Sequence, residues 1–341
     1  MKKKMSIIRR IIVTGVFSVL LTPLSELSAQ DFHFSQYDMV SIYTNPAVTG
    51  MYDGKSEDYR IVSDYRSQWK SLGIKPYTTE FISYDRHISK WDDKYGVGGY
   101  IVQDHAGEGR FQTLNAMASG AYNIMNGTKA HWLTVGLQAG IFYKSFDPSS
   151  FTYDIQWDDV TGTFNQSADS HENFARTGMV KFDANMGIRY GYMRLNTKWH
   201  PFASFSINHL TMPNESFTDY KSHLPMKFLF NTACNYDVND NLTLQGRVLY
   251  MNQRKASDFD LGLMAFYKIK GSSLDAVGGI DYRVKDAIIA HIGFRQGESI
   301  FRFSYDINTS YLNNYTNGRG AWEFGLVLTG KKNEPLIKPL F

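Results

Sequence analysis

The sequence predicts an all-β fold: a transmembrane antiparallel β-barrel of about fourteen strands with a short N-terminal plug segment. Three observations predict it. Between Tyr59 and Thr329, stretches of roughly ten residues alternate apolar and polar side chains and are separated by turn residues, as strands with one face to lipid and one to a lumen require. Aromatic residues make up 15% of the chain, and Trp69, Tyr77, Tyr95, Trp132, Tyr192, Trp199 and Trp322 stand at strand ends, where interfacial girdles lie. The inward faces carry Arg66, Asp183, Arg189, Arg247, Asp281, Arg283, His291, Arg295, Arg302, Asp306 and Glu323. So many charges do not suit the dry core of a soluble sandwich, because buried charges without partners are costly.

Taken in order, the chain opens on an export signal. Lys2, Lys3, Lys4, Arg9 and Arg10 precede an apolar run from Ile11 to Leu21, and Leu27-Ser28-Ala29 precedes Gln30 as a signal-peptidase site. No cysteine stands there, which sets aside the lipoprotein route, and no later apolar run is long enough for a spanning helix. Removing residues 1–29 takes away five positive charges and Glu26, carrying the formal charge from +3 to −1. The basic composition therefore implies no nucleic-acid partner. Residues 30–58 read as an N-terminal periplasmic or plug segment, 59–330 as the barrel and 331–341 as a C-terminal tail. Cys234 is the sole cysteine, so no intramolecular disulfide forms.

The alternation places strands at 59–69, 77–88, 95–104, 111–124, 131–143, 180–192, 201–210, 226–238, 242–251, 259–269, 274–284, 288–295, 300–308 and 321–329. In the fifth, Leu133, Val135, Leu137, Ala139 and Ile141 face one side, with Thr134, Gly136, Gln138 and Gly140 on the other. Arg at lipid-facing Leu137 is therefore expected to cost more than Arg at lumenal Gln138. Counting from a periplasmic N-terminus, the even-numbered connections include tight-turn sequences such as Asn126-Gly127, Asp240-Asn241 and Gly297-Glu298. The odd-numbered ones include the long stretches 144–179, 211–225 and 309–320, as expected of extracellular loops. The short Lys285-Asp286-Ala287 connection breaks that rule.

Within the N-terminal segment, Pro46 and Gly50 dictate turns, so Asn45-Pro46-Ala47 reads as part of a chain folded into the lumen from the periplasmic side. Gln36, Tyr37 and Asn45 are then expected to meet inward Arg and Asp side chains. Arg66, Gln68 and Trp69 supply the wall beside them. Asn214-Glu215-Ser216-Phe217, in a loop stiffened by Pro213 and Pro225, is the candidate extracellular partner site, with an ordered lid as the other reading. The loop 144–179 is acidic and aromatic around Trp157-Asp158-Asp159, without EF-hand spacing.

Several segments together resemble a known family. Gln30-Asp31-Phe32-His33-Phe34-Ser35-Gln36-Tyr37, Tyr43-Thr44-Asn45-Pro46-Ala47-Val48-Thr49-Gly50 and Tyr65-Arg66-Ser67-Gln68-Trp69 are followed by Gly96-Val97-Gly98-Gly99, Asp104-His105-Ala106-Gly107, His209 to Phe217 and Phe303-Ser304-Tyr305-Asp306. In this order and spacing they resemble the PorP/SprF family of the type IX secretion system, across the whole mature chain. The resemblance implies an outer-membrane barrel that supports secretion or surface attachment of proteins bearing a type B C-terminal domain, including large adhesins used in gliding. It implies the other type IX components as partners, and a multi-pass outer-membrane barrel meets membrane lipids and lipopolysaccharide.

No enzyme is expected. The nine histidines are scattered, and neither a Gly-x-Ser-x-Gly elbow nor a His-Glu-x-x-His helix occurs; no catalytic residue, cofactor or metal is implied. The alternative from a different class is a channel of the fatty-acid-transporter type for hydrophobic small molecules, which also has fourteen strands, a plugged lumen and an Asn-Pro-Ala near its N-terminus. Such a channel needs a continuous apolar lumen; here the inward face is rich in Arg, Asp, Asn and Gly.

Overall fold

The computed structural model describes residues 31–51, 58–73, 75–88, 94–107, 109–125, 130–165, 167–172, 174–194 and 197–331. The expected export signal, the Asn126-Gly127 turn and all of the expected tail except Lys331 lie outside these residues. The described chain begins with a helical turn, α1 (Ser41–Thr44), and a 3-10 turn over Pro46–Val48. Fifteen of the strands that follow are β1 (Tyr59–Gln68), β2 (Tyr77–His87), β3 (Tyr95–Ala106), β4 (Phe111–Asn123), β5 (His131–Ser145), β6 (Trp157–Asp158), β7 (Thr163–Phe164), β8 (Gly178–Tyr192), β9 (Trp199–Asn208), β10 (Lys227–Asn239), β11 (Leu242–Gln253), β12 (Ala256–Lys268), β13 (Asp275–Arg283), β14 (Ala287–Gln296) and β15 (Ser299–Asn308). The last is β16 (Arg319–Gly330).

Fourteen of these close into one antiparallel barrel in which each strand pairs with its neighbours in sequence, β5 reaches β8 across the long loop, and β1 pairs with β16. The short β6–β7 hairpin stands within that loop. Closure removes every sheet edge, as a bilayer demands of a spanning sheet. The two-residue side-chain period then sorts the faces: in β5, Thr134 and Gln138 are buried while Leu137 is 63% exposed.

Tight turns join β10 to β11 and β14 to β15 at one end, whereas the long connections from β5 to β8, β9 to β10 and β15 to β16 lie at the other. Short turns mark the periplasmic end, so β1 starts and β16 finishes there. Two connections at the extracellular end are also tight. Lys285 takes φ 64° between β13 and β14, and Arg254 takes φ 56° between β11 and β12. The second was missed from sequence because β12 begins at Ala256, three residues before the expected Phe259. Beyond the bilayer both strand faces are wet, and the alternation that marks a strand fades. The β6–β7 hairpin and α1 are too short for any periodic signal.

The expected mildness of a change at Gln138 is overturned. Its side-chain amide donates to the Ile42 carbonyl at 2.7 Å and accepts from Asn185 at 3.0 Å, so it helps hold the N-terminal segment. Leu137→Arg is expected to lower the unfolding free energy in liposomes by about 2–4 kcal/mol, while Tyr311→Arg, in the loop before β16, shifts it by less than about 0.5 kcal/mol. Denaturant titration of both variants checks the face assignment.

Candidate functional site

Residues 31–50 run through the lumen from the extracellular end, where Asp31 lies, to the periplasmic end, where Gly50 lies. Two different walls receive them. Phe34, Met39, Val40, Ile42, Tyr43 and Val48 pack with Val62, Phe81, Tyr100, Val102 and Met117 of β1 to β4, together with Val327 of β16, in one apolar cluster. The Tyr43 ring meets those of Phe34, Phe81 and Tyr100 edge-on at 5.6–6.3 Å, a preferred aromatic arrangement. Around β11 to β16 the contacts are charged.

The charged contacts centre on the seam between β1 and β16. Arg66 and Glu323 face each other in the strand register, and the Arg66 guanidinium reaches Glu323 at 3.0 Å and Asp306 at 2.9 Å. Asp306 sits where the β15–β16 register shifts, a bulge that re-aims side chains. The Ser35 and Gln36 amides donate to the two Glu323 oxygens at 2.8 and 2.7 Å. The Ser35 hydroxyl donates to Asp306 at 2.8 Å and accepts from Arg66 at 2.6 Å and Arg283 at 3.1 Å. Asp38 takes a bidentate hold from Arg302 and lies 2.9 Å from Arg247; Arg247 also pairs with Asp281. Arg66, Arg283 and Arg302 are among the largest fully buried side chains, so these partners are obligatory.

Below, the chain turns. The Asn45 side chain accepts from the Ala47 amide at 2.8 Å and donates to the carbonyls of Ile188 and Phe205 at 3.1 and 3.2 Å, tying the turn to β8 and β9. Pro46 and Ala47 lie so close to β5 that a Cβ on Gly136 would collide with their backbone. Gly50, at φ +63°, leads the chain out of the lumen while its amide donates to Asp85 at 2.6 Å, and Arg60 grips the same carboxylate; only glycine adopts that conformation without strain.

At the extracellular end, His209, just beyond β9, bridges Asp31 at 2.7 Å and Asp183 at 2.5 Å. Burial pushes the His209 pKa down, but the two carboxylates outweigh it and raise the value to about 9. Burial likewise opposes ionisation of Asp31, yet His209, with Lys227 and Gln253, holds its carboxyl well below the usual range.

Of the residues singled out from sequence, Gln36, Tyr37, Asn45, Pro46, Ala47 and Gly50 are all buried within the lumenal segment. Gln36 meets Arg302 and Glu323, and the Arg247 guanidinium lies 5.1 Å from the Tyr37 ring centre. Asn45 meets backbone carbonyls, not the expected charged side chains. Arg66 touches the segment; Gln68 and Trp69 do not belong to that contact. Gln68 pairs with Tyr77 at the extracellular end of β1, and Trp69 packs on the Tyr77 ring at 4.7 Å.

In the loop before β10, Glu215 pairs with Lys144 at 2.7 Å, Phe217 packs on Phe146 at 4.5 Å, and Asn214 accepts from the Ser216 and Ser222 amides. With Ser216 buried as well, these four side chains order the loop against β5. The Asp158 carboxylate, in the long loop, accepts from the Val160 amide and the Thr161 hydroxyl. Sequence reasoning missed Asp31, Ser35, Asp38 and His209 as anchors. For Asp31, Ser35 and Asp38 the signal was the conjunction of Asp and Ser in the N-terminal segment with an excess of inward arginine; His209 carried none.

Residues 26–328 match the family described as Type IX secretion system membrane protein PorP/SprF. The chain belongs to the PorP/SprF family. It is an outer-membrane β-barrel that crosses the membrane with its strands. No curated protein matches this PorP/SprF barrel. Among solved structures it is similar to the toluene transporter TbuX of Ralstonia pickettii, at 10% identity over 85% of this chain and 92% of that one, with a TM-score of 0.49. It is also similar to the monoaromatic hydrocarbon channel CymD, at 12% identity over 88% and 93%, with a TM-score of 0.45. At such identities the likeness concerns the fold alone.

Arg66→Met leaves Glu323 and Asp306 buried with one fewer cation and is expected to cost about 3–5 kcal/mol, read from the denaturant midpoint. The His209 clamp is expected to be pH-dependent. Its folded-state pKa is raised, so its contribution is complete below the ordinary 6.5 and is lost as pH rises through about 9; the depressed Asp31 adds a contribution lost as pH falls below the ordinary 3.8. Hydrogen-exchange protection of residues 31–34, corrected for intrinsic rates, should fall between pH 7 and 10. His209→Gln should abolish that step.

Proposed function

We propose that this barrel is an accessory of the type IX secretion system that supports secretion or surface attachment of client proteins carrying a type B C-terminal domain, such as large adhesins that serve gliding. On this reading residues 1–29 direct export and are removed, residues 31–50 act as a plug, and the chain acts by binding other proteins, not by catalysis. Its partners are the client, the other type IX components, and the lipids and lipopolysaccharide around it. The observation that carries the reading is membership of the PorP/SprF family, and the filled lumen supports it. Among the described residues, a lumenal space of about 380 Å³ is lined by Arg189, Asn231, Gln245 and Arg295 together with Met193, Phe202 and Phe266. Its polar groups interrupt the continuous apolar lining that a channel for hydrophobic small molecules needs.

Deleting the gene is expected to leave its client adhesin unsecreted or unattached while other type IX clients still reach the surface, as read by surface proteomics. Trimming residues 149–172 is expected to weaken client display if recognition is extracellular, whereas changes around Asn45-Pro46-Ala47 should do so if the client's signal domain is met from the periplasm. Normal display of every client in the deletion strain, with lost uptake of a hydrophobic nutrient, would overturn the proposal in favour of a channel.

A further inference from the structure

The outer surface of β3, β4, β5, β8 and β9 is hollowed. In the strand register Val97, Gly120, Leu137, Met186 and Ile207 follow one another across the five strands, and Gly120 alone contributes no side chain. A Cβ there would meet only the Gly96 carbonyl oxygen, at 3.9 Å; the bulkier neighbours stand up around a floor of bare backbone. The hollow has a volume of about 820 Å³, and its lining is almost wholly apolar. Among the described residues, none of the lumenal segment lines it, and the hydrogen-bonded ladder beneath it is unbroken from β3 to β9. It opens to the bilayer, not to the lumen.

Its position identifies what fills it. The hollow is continuous with the lipid-facing belt, and its lower rim is formed by Tyr95 and Tyr122, whose rings lie 5.0 Å apart at the periplasmic end of β3 and β4. Phenol groups at that height reach the headgroup and glycerol region while their rings stay in hydrocarbon. From there the hollow rises towards the middle of the membrane along Val97 and Leu137. An unfilled concavity forfeits dispersion contacts on every lining atom, and flexible hydrocarbon chains are the material at hand to restore them. The volume is that of a site for a drug-sized ligand or larger, more than one thin chain needs.

We infer that this hollow is a binding site for one phospholipid of the periplasmic leaflet, with its acyl chains seated over Gly120 and its headgroup beside Tyr95 and Tyr122. The inference stands apart from the secretion reading. It requires only that the barrel sit in a membrane.

The test compares matched glycines on the lipid face. Gly120→Leu puts a side chain into the hollow, its Cβ at an ordinary 3.9 Å from the Gly96 carbonyl oxygen. Gly246→Leu and Gly278→Leu add the same side chain on the far side of the barrel, where a Cβ meets nothing within 4 Å or only the His291 carbonyl oxygen at 4.0 Å. The full-length barrels, checked for folding by heat-dependent gel mobility, are purified in mild detergent and weighed by native mass spectrometry, with lipid extraction to identify what remains bound. Wild type and both controls are expected to retain one diacyl phospholipid per barrel, and Gly120→Leu to lose it. The inference is overturned if wild type retains no stoichiometric phospholipid, or if Gly120→Leu keeps it. It is equally overturned if Gly120→Leu only dissociates a dimer with its lipid content unchanged, which would make the hollow a contact between two copies of the chain.

Discussion

A guanidinium sealed inside a closed lumen must meet a carboxylate, and the arrangement of the interior follows from where those carboxylates sit. Arg66, Arg283 and Arg302 are almost fully withdrawn from solvent, and removing such ions from water costs several kcal/mol each unless paired. The wall supplies Asp260, Asp306 and Glu323. Asp38, which joins Arg302 to Arg247, comes from the N-terminal segment. That segment is therefore part of the electrostatic balance of the barrel and not an addition to it.

The interior is amphipathic across its width. Apolar side chains of the segment lean on β1 to β4, while Ser35, Gln36 and Asp38 face β11, β13, β15 and β16. A strand wall with a single polar inner face would hold an extended chain only by hydrogen bonds. Here burial of Phe34, Ile42 and Tyr43 adds a hydrophobic contribution, and the glycine-lined approach of Pro46 to β5 fixes the depth at which the chain sits. The two kinds of contact also set its rotation, since turning the segment about its axis would take Asp38 away from Arg302 and Arg247.

Much of this was legible in the residues. The alternation of β5 and β8 survives because one face is set against lipid along most of the strand, and all fourteen barrel strands can be read from such runs. Inward charges in the wall are equally plain. Strand ends beyond the bilayer are not, as the first turn of β12 shows, because water on both faces imposes no period. Within the segment, Pro46 and Gly50 announce turns through their own backbones. The pairing of Asp31 with His209, 178 residues apart, has no local signature; barrel closure alone brings the two together. The same holds for the hollow over Gly120, which exists only once five strands are in register.

The Arg66–Glu323 pair spans the junction of first and last barrel strands, and Glu323 also receives the Ser35 and Gln36 amides. This couples assembly steps that are separate in an empty cylinder. Without the segment, the Arg66–Glu323 pair at the seam would lack the two amide donors of Ser35 and Gln36. One buried carboxylate thus serves both the closing seam and the N-terminal segment, so a change at Glu323 would loosen the cylinder and its filling together.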